Sequence, residues 1–553
     1  MAKSKLSLNY LWTILMFSVL ACQQKGVEHF EPIIQDGVQK NTIPMGKKWK
    51  QGEGYMYCAG KGDNFDNMMY SSFYVNDDDF HIRMNISFDT IGETTSIFWF
   101  FNNHFGFDSD NKGNNMHERL FIYTPKYDSL LYFQPSKEAF EPGVPFLFEV
   151  KREGGVIRFL IDGKLITQQP EDLFAEPMKG TIGIRPWRNR IQIFDWEISG
   201  NIAPLPDIDF VFKSGEAGYA CFRIPSIVQA NDGSLLAFAE ARQNTCRDNF
   251  DVDIVMKKST DNGQTWAPLQ VIWADSTNTC SYPVPIVDRE SGRIVLFSVW
   301  SLGDDTFQSI FKSQGRDTRR IFQFNSDDNG DSWSAKKEIT DQIKLPGWDY
   351  YGIGTGSGMQ MKSLKYKNRM IAACYFSTLV EGETVFRSHL IYSDDGGEHW
   401  AIGGITPETG TSECEVAELD DGVLMLNMTK RSHTVRARSV AYSYDGGITL
   451  QDQHLDKALY GPFCQASLDS YVDEKGGFVA LFANPRHLYG REDMTIMRSF
   501  DNGKTWEEFQ LVFNGYSGNS DLLIMQNGQV GIFFECGKIW SQDGLAFRRF
   551  DLD

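Results

Sequence analysis

Positive charge is in short supply in this sequence: 54 Lys and Arg stand against 73 Asp and Glu, a formal net charge of −19. A surface of that sign repels phosphate backbones and anionic headgroups, which sets nucleic acid aside as a partner. Cysteine is scarce too. Nine in 553 residues cannot make the dense disulfide framework of a small secreted scaffold, and most are read as small buried apolar residues. The nine histidines show no metal-ligand spacing, and no glycine-rich phosphate loop precedes a helix. No metal and no cofactor is expected. The apolar run Leu11–Ala21 is too short to span a bilayer. Preceded by Lys3 and Lys5 and followed by Cys22, it reads as an export signal over residues 1–22 with a lipid-acceptor cysteine. That predicts an exported, periplasmic or cell-surface lipoprotein, touching a membrane only through a lipid on Cys22; a plain signal peptide with an incidental cysteine is the alternative.

What is present is strand after strand. Over residues 45–200, "FHIRMNISF" places Phe80, Ile82, Met84, Ile86 and Phe88 on one face with a period of two. "VIRFLIDGKLI" alternates Ile157, Phe159 and Ile161 into an Asp162-Gly163 turn, the signature of a hairpin. These short strands predict a β-sandwich of jelly-roll type, similar to the concanavalin-like, lectin-like domains that accompany glycan-active enzymes. Trp187 and Arg188 would sit on its rim or stack on sugar. Residues 201–209, "NIAPLPDID", carry two prolines and no period and are expected to be a linker.

After the linker one phrase keeps returning. "STDNGQTW" (Ser259–Trp266), "SDDNGDSW" (Ser326–Trp333) and "SFDNGKTW" (Ser499–Trp506) are strict copies, while "SDDGGEHW" and "SYDGGITL" are looser. Their aspartates, 261, 328, 395, 445 and 501, are spaced by 67, 67, 50 and 56 residues, room for about four short strands each. Such a period marks a propeller. With "SQDGLAF" (Ser541–Phe547) as a decayed sixth copy, residues 210–553 are expected to form six blades. In each box the Asp would accept backbone N–H bonds, Gly would supply positive φ and Trp would pack inward, fastening a turn. Asp445, whose box lacks Trp, is expected to be the weaker fastener. The fold class is therefore all-β, a β-sandwich followed by a six-bladed β-propeller.

A Phe-Arg-Ile-Pro stretch, "CFRIPSIV", ahead of recurring Asp boxes resembles the bacterial sialidases, or neuraminidases, together with "AFAEARQNTCRDNFDVDIV", "SECEVAELDDGVLMLN" and "VGIFFECG". The likeness runs from Phe210 to the C-terminus. It implies an arginine triad of Arg223, Arg431 and Arg491 for a substrate carboxylate, a use suited to planar guanidinium forks; Arg436 or Arg438 are alternatives for the second member. Glu535 would orient Arg223, and Arg242 would lie beside the substrate. Asp248 is implied as the acid/base, which calls for a carboxyl on a flexible loop, with Asp251 and Asp253 bracing it. Glu413 would activate a tyrosine nucleophile, with Glu415 and Glu418 as competing assignments.

Two residues depart from the family wording. Asn519 in "GYSGNSDLL" occupies the tyrosine position, leaving Tyr516 as the nearest substitute nucleophile, and Tyr282 in "SYPVPIVD" stands where asparagine is usual. The resemblance implies an exo-α-sialidase with a retaining mechanism, acting as a monomer on sialylated glycans or glycolipids. The alternatives are a sialic-acid-binding protein that has lost catalysis and a glycosidase for a related acidic sugar.

Overall fold

The computed structural model describes residues 28–552, apart from 45–48, 59–66, 89–93, 101–102, 109–118, 125–128, 134–140, 142, 175–177, 187–189, 206, 249 and 433–434. The expected signal segment with Cys22 lies outside the described residues, as do Trp187 and Arg188. Two compact units divide at Leu205 and Pro206. Among the described residues no helix is long and apolar enough to cross a membrane.

In the first unit strands begin at Glu31, ahead of residue 45, and the last strand, Ile191–Pro204, runs into the segment expected as linker. Ile202, Ala203 and Pro204 pair with Val75, Tyr74 and Phe73, and proline is tolerated there because it ends the strand. The organising strand is Met69–Phe88. One of its edges is followed by Ile191–Pro204 from Phe88 down to Phe73. Its other edge is shared: Phe80–Ile86 pairs with Phe146–Arg152, and Met69–Val75 with Gly180–Ile184. The sheet therefore forks into two leaves. Phe105 and Phe107 of one leaf meet Phe146, Phe148 and Phe159 of the other at ring-centroid distances of 5.0–6.4 Å. This aromatic layer is the core of the unit. Phe80, Ile82, Met84, Ile86 and Phe88 are all buried in it, and Asp162 and Gly163 take φ of 48° and 73° at the hairpin turn.

The second unit is a ring of six antiparallel blades. Their innermost strands are Cys221–Gln229, Thr279–Val287, Tyr351–Ile353 with Met359–Gln360, Thr411–Glu418, Ser467–Val472 and the C-terminal half of Glu507–Ile524. Successive blades touch in that order, and the innermost strand of blade 6 returns against that of blade 1. Two joints stand out. Glu507–Ile524 is one continuous strand, outermost in blade 5 and innermost in blade 6. Phe210–Lys213, from the start of the unit, pairs with the C-terminal strand Gly544–Asp551 and completes blade 6.

The boxes lie between the third and fourth strands of blades 1 to 5. In the first, Asp261 Oδ1 accepts the N–H groups of Gln264 and Thr265, at 3.0 and 2.9 Å, while its Oδ2 accepts the Thr265 hydroxyl at 2.6 Å. Ser259 Oγ donates to the same carboxylate at 2.8 Å. The box glycine does two things at once. Gly263 sits at φ 81°, and a Cβ there would lie 2.4 Å from Phe547 of the preceding blade. Gly330, Gly397, Gly447 and Gly503 repeat the geometry against Leu236, Val295, Ile371 and Met425. Each box thus lets two blades close against each other. Asp445 keeps the full set of bonds, to Ser443, Ile448 and Thr449, so the loose fourth copy has lost its Trp but none of its hydrogen bonds. The sixth copy is no box: Asp543 accepts instead from Lys538 and Ile539, upstream of it.

Candidate active site

Innermost strands of a propeller converge on the axis, and what they present there depends on local register. Four of the six carry a bulge toward one end: at Arg223/Ser226, Ser281/Val284, Thr411/Cys414 and Ser517/Ser520. A bulge inserts an unpaired residue and re-aims its side chain. The residues so released, Ile224, Tyr282, Glu413 and Asn519, all line one cavity of about 240 Å³, together with Arg223 at the edge of the first bulge. Ile224 and Tyr282 have φ of 54° and 57°, a conformation that bulky residues adopt only where surroundings enforce it.

The cavity is dominated by guanidinium groups. Arg223 is fixed from behind by Glu535, which accepts from Nε at 3.0 Å and from Nη2 at 3.2 Å and also receives the Ile224 and Asn519 N–H groups, each at 3.2 Å. Glu535 is fully buried and supports the wall without lining it. Arg242 is held by Glu240 at 2.7 Å, while the other Glu240 oxygen accepts the Tyr282 N–H at 3.0 Å. Arg431 and Arg491 differ. Arg431 lies 3.9 Å over the Phe386 ring, and Arg491 donates to the Phe463 carbonyl at 3.0 Å. Among the described residues neither is in an ion pair. Arg436 and Arg438 do not line the cavity; Arg438 is buried, donating to Asn427, Thr429 and the Cys464 carbonyl.

Asp248 stands at the mouth, its side chain 48% exposed, and one oxygen bridges Arg223 Nη1 at 2.9 Å and Arg242 Nη1 at 2.8 Å. Burial works to raise its pKa, but Arg242 and Arg223 outweigh it and hold the carboxyl below its usual range. The loop that carries Asp248 is tethered on its N-terminal side. Cys221 and Cys246 form a disulfide, and Arg242 Nη1 donates to the Cys246 carbonyl at 2.5 Å, so the segment leading to Asp248 is pinned at both ends of blade 1's first hairpin. Asp253 braces it, accepting from Tyr219 and Gln243. Glu413 is shifted the other way: burial raises its pKa although Arg491, Arg223 and Arg431 pull it down.

Tyr516 is not brought to this cavity. It belongs to the unbroken strand Glu507–Ile524, pairs with Glu492, and its carbonyl accepts the Gly537 N–H at 3.1 Å, so the two flanking glycines confer no loop. Asn519 does line the site; its Oδ1 lies 3.2 Å from the Cys464 thiol. Phenols come instead from blades 2 and 3. Tyr282, Tyr350 and Tyr375 line the opposite wall with Phe307 and Phe311. Of these only Tyr282 had a sequence signal, as a departure beside the Pro; Glu240, two residues before Arg242, had none.

The same strands enclose a second cavity, about 250 Å³, further along the propeller axis. Glu415, Glu418 and Asp469 line it, with Arg289 and Lys362. Only Glu413 of the three neighbouring glutamates faces the guanidinium-rich side.

A model of the BNR repeat-like domain family matches residues 233–532. The sialidase of Bacteroides fragilis (strain YCH46) is 32% identical over 346 residues, 59% of this chain and 62% of its own length. The chain thus spans less than two thirds of that relative. The sialidase of Paraclostridium sordellii is 30% identical over 334 residues, 57% of this chain and 81% of its own. Among solved structures, the Hadza microbial sialidase Hz136 superposes with a TM-score of 0.56 at 22% identity, over 95% of this chain and 99% of that one, a likeness of fold.

Proposed function

This chain belongs to the sialidase family, and from that premise we propose that it is an exported exo-α-sialidase, a glycoside hydrolase that releases terminal sialic acids from glycoconjugates with retention. The observation that carries the reading is the pair of guanidiniums without carboxylate partners, Arg431 and Arg491, facing the same cavity as Arg223 and a carboxyl at its mouth. Two guanidinium forks that face one cavity and pair with no carboxylate keep donors for a bound anion. The carboxylate on the anomeric carbon of a sialic acid is such an anion.

In the proposed cycle Arg223, Arg431 and Arg491 clamp that carboxylate. Its charge takes the place of Asp248 on Arg223, which removes one of the two cations holding Asp248 ionised and raises its pKa. Binding thereby prepares the general acid. Asp248 protonates the leaving oxygen, then as carboxylate takes a proton from water. Glu413, half-buried and shifted upward, is the base for the nucleophile. Arg242 keeps Asp248 at the mouth, and Asn519 lines the cavity wall as a substrate contact, since an amide has no ionisable proton to give up near neutral pH. The substrates are sialylated glycans or glycolipids, the protein is a monomer, and the signal segment with a lipid on Cys22 places it at the cell surface or in the periplasm; support for these lies in the sequence and in the family.

Asn519 favours one competing reading, a sialic-acid-binding protein without turnover. Incubating the full chain with a fluorogenic α-sialoside separates the two: release of fluorophore is expected, and binding of free sialic acid by calorimetry with no release would overturn the hydrolase.

A further inference from the structure

Tyr282 is a side chain under compulsion. It sits at a bulge with φ 57°, held there by the Glu240 carboxylate on its N–H at 3.0 Å. Its hydroxyl lies 2.8 Å from that of Tyr350 and 2.8 Å from that of Tyr375. A phenol has one proton, so at least one neighbour must donate to Tyr282, and a Tyr282 phenolate would accept from both. Behind the three rings is Arg319, 0% exposed, its guanidinium 4.0 Å over Tyr350 and 5.3 Å from the Tyr282 ring. It donates to the Tyr351 carbonyl at 3.0 Å, while among the described residues its Nε and Nη2 have no hydrogen-bond partner. Among the described residues it pairs with no carboxylate. A buried cation of this kind is costly alone and is compensated by an anion formed next to it.

We propose that Tyr282 is the oxygen nucleophile of this enzyme, its phenolate stabilised by Tyr350, Tyr375 and Arg319. The inference rests on the sialidase reading above. Tyr282 Oη attacks the anomeric carbon, and the glycosidic C–O bond breaks with its electron pair going to the leaving oxygen, which takes the Asp248 proton. The Tyr282 proton passes to Glu413, whose charge acts on both Tyr282 and Tyr375. Water, deprotonated by Asp248, then attacks the same carbon; the bond to Tyr282 breaks, and the phenolate recovers its proton from Glu413. Tyr282 and Asn519 line the same cavity from blades 2 and 6, so phenol and amide stand on opposite walls from those the family wording implies. Burial and the neighbouring Tyr350 keep Tyr282 protonated, against the pull of Arg319. A base is therefore required, and Glu413 is raised toward that task.

The test is covalent trapping. The full chain is incubated with a 2,3-difluorinated sialic acid, and intact mass followed by peptide mapping locates the adduct. An adduct on Tyr282 is expected, with Tyr282→Phe folded by its melting curve yet slower by about 10³-fold or more and Tyr350→Phe slower to a lesser degree. Turnover by the wild type with the adduct elsewhere, or with Tyr282→Phe at full rate, or with an inverted first product by NMR, would overturn this assignment while leaving the hydrolase standing. No turnover and no adduct in the wild type would overturn both.

Discussion

Two of the propeller's cavities are of nearly equal size, one at about 240 Å³ and the other at about 250 Å³, built from the same innermost strands and opposite in chemistry. The upper one collects Arg223, Arg242, Arg431 and Arg491. In the lower one Glu415 and Asp469 meet Asp521, which is fully buried and bonded to the Ile227 N–H at 2.7 Å. Along one strand Glu413 faces the first and Glu415 the second; along another Asn519 precedes Asp521 by two residues. What separates them is backbone register. The bulges at Arg223, Tyr282, Glu413 and Asn519 lie on the upper side, where side chains are turned inward, while below them the strands run regularly and Glu418, Asp469 and Asp521 accept backbone N–H groups. Cavity size does not tell them apart; cations lacking carboxylate partners beside a forced phenol distinguish the end proposed to be reactive.

The comparison breaks most visibly if the two glutamates are exchanged in role. Glu413→Gln is expected to lower kcat on a fluorogenic sialoside by about 10²- to 10⁴-fold, and Glu415→Gln by no more than a few-fold; a comparable loss in both would erase the distinction. Next in size is the clamp. Arg491→Ala should weaken binding of free sialic acid by about 1.5–3 kcal/mol, roughly 10- to 150-fold in Kd, whereas Lys362→Ala in the lower cavity leaves calorimetric affinity unchanged.

Stability against pH probes the lower cavity. Burial pushes Glu415 well above the carboxylate range and Asp521 up to about 7. With a folded pKa above the unfolded one, near 4, the native state holds more protons across that window. Stability is then complete below about pH 4 and falls as pH rises toward 7. Asp521→Asn should flatten this slope in urea melts between those limits, and an unchanged slope would remove the acid pair from the account. The smallest effect concerns the boxes: Asp261→Ala and Asp445→Ala delete the same bonds, so their melting shifts should agree, and a clearly milder Asp445→Ala would restore the weaker-fastener expectation.

Much of this was readable in the chain. The boxes announce a propeller because a turn that must satisfy an Asp, two positive-φ residues and a neighbouring blade leaves little choice of residue. Arg223, Asp248, Glu413 and Glu535 were legible because each is embedded in a local phrase. Tyr516 is misplaced by sequence alone because nearness to Asn519 along the chain is not nearness to the cavity; strand pairing decides. Nothing local marks Tyr350, Tyr375 or Arg319, which reach Tyr282 from 37 to 93 residues away. Bulges leave no reliable trace in a single sequence, and the Cys221–Cys246 bond was invisible for want of any spacing rule.

The strand Glu507–Ile524 gives the ring an uneven seam. Elsewhere successive blades are joined by loops, but blades 5 and 6 share a backbone ladder on both edges of one strand and cannot part without tearing it. The closure is the reverse: the four residues Phe210–Lys213 against Gly544–Asp551 form a short clasp holding a bracelet with two links soldered together. Pulled from its ends or warmed, such a bracelet opens at the clasp first and releases the soldered pair as one piece. Amide protons of 507–524 should therefore outlast those of 210–213 in hydrogen exchange, and the Asn519 wall of the upper cavity hangs from the part of the ring that lets go last.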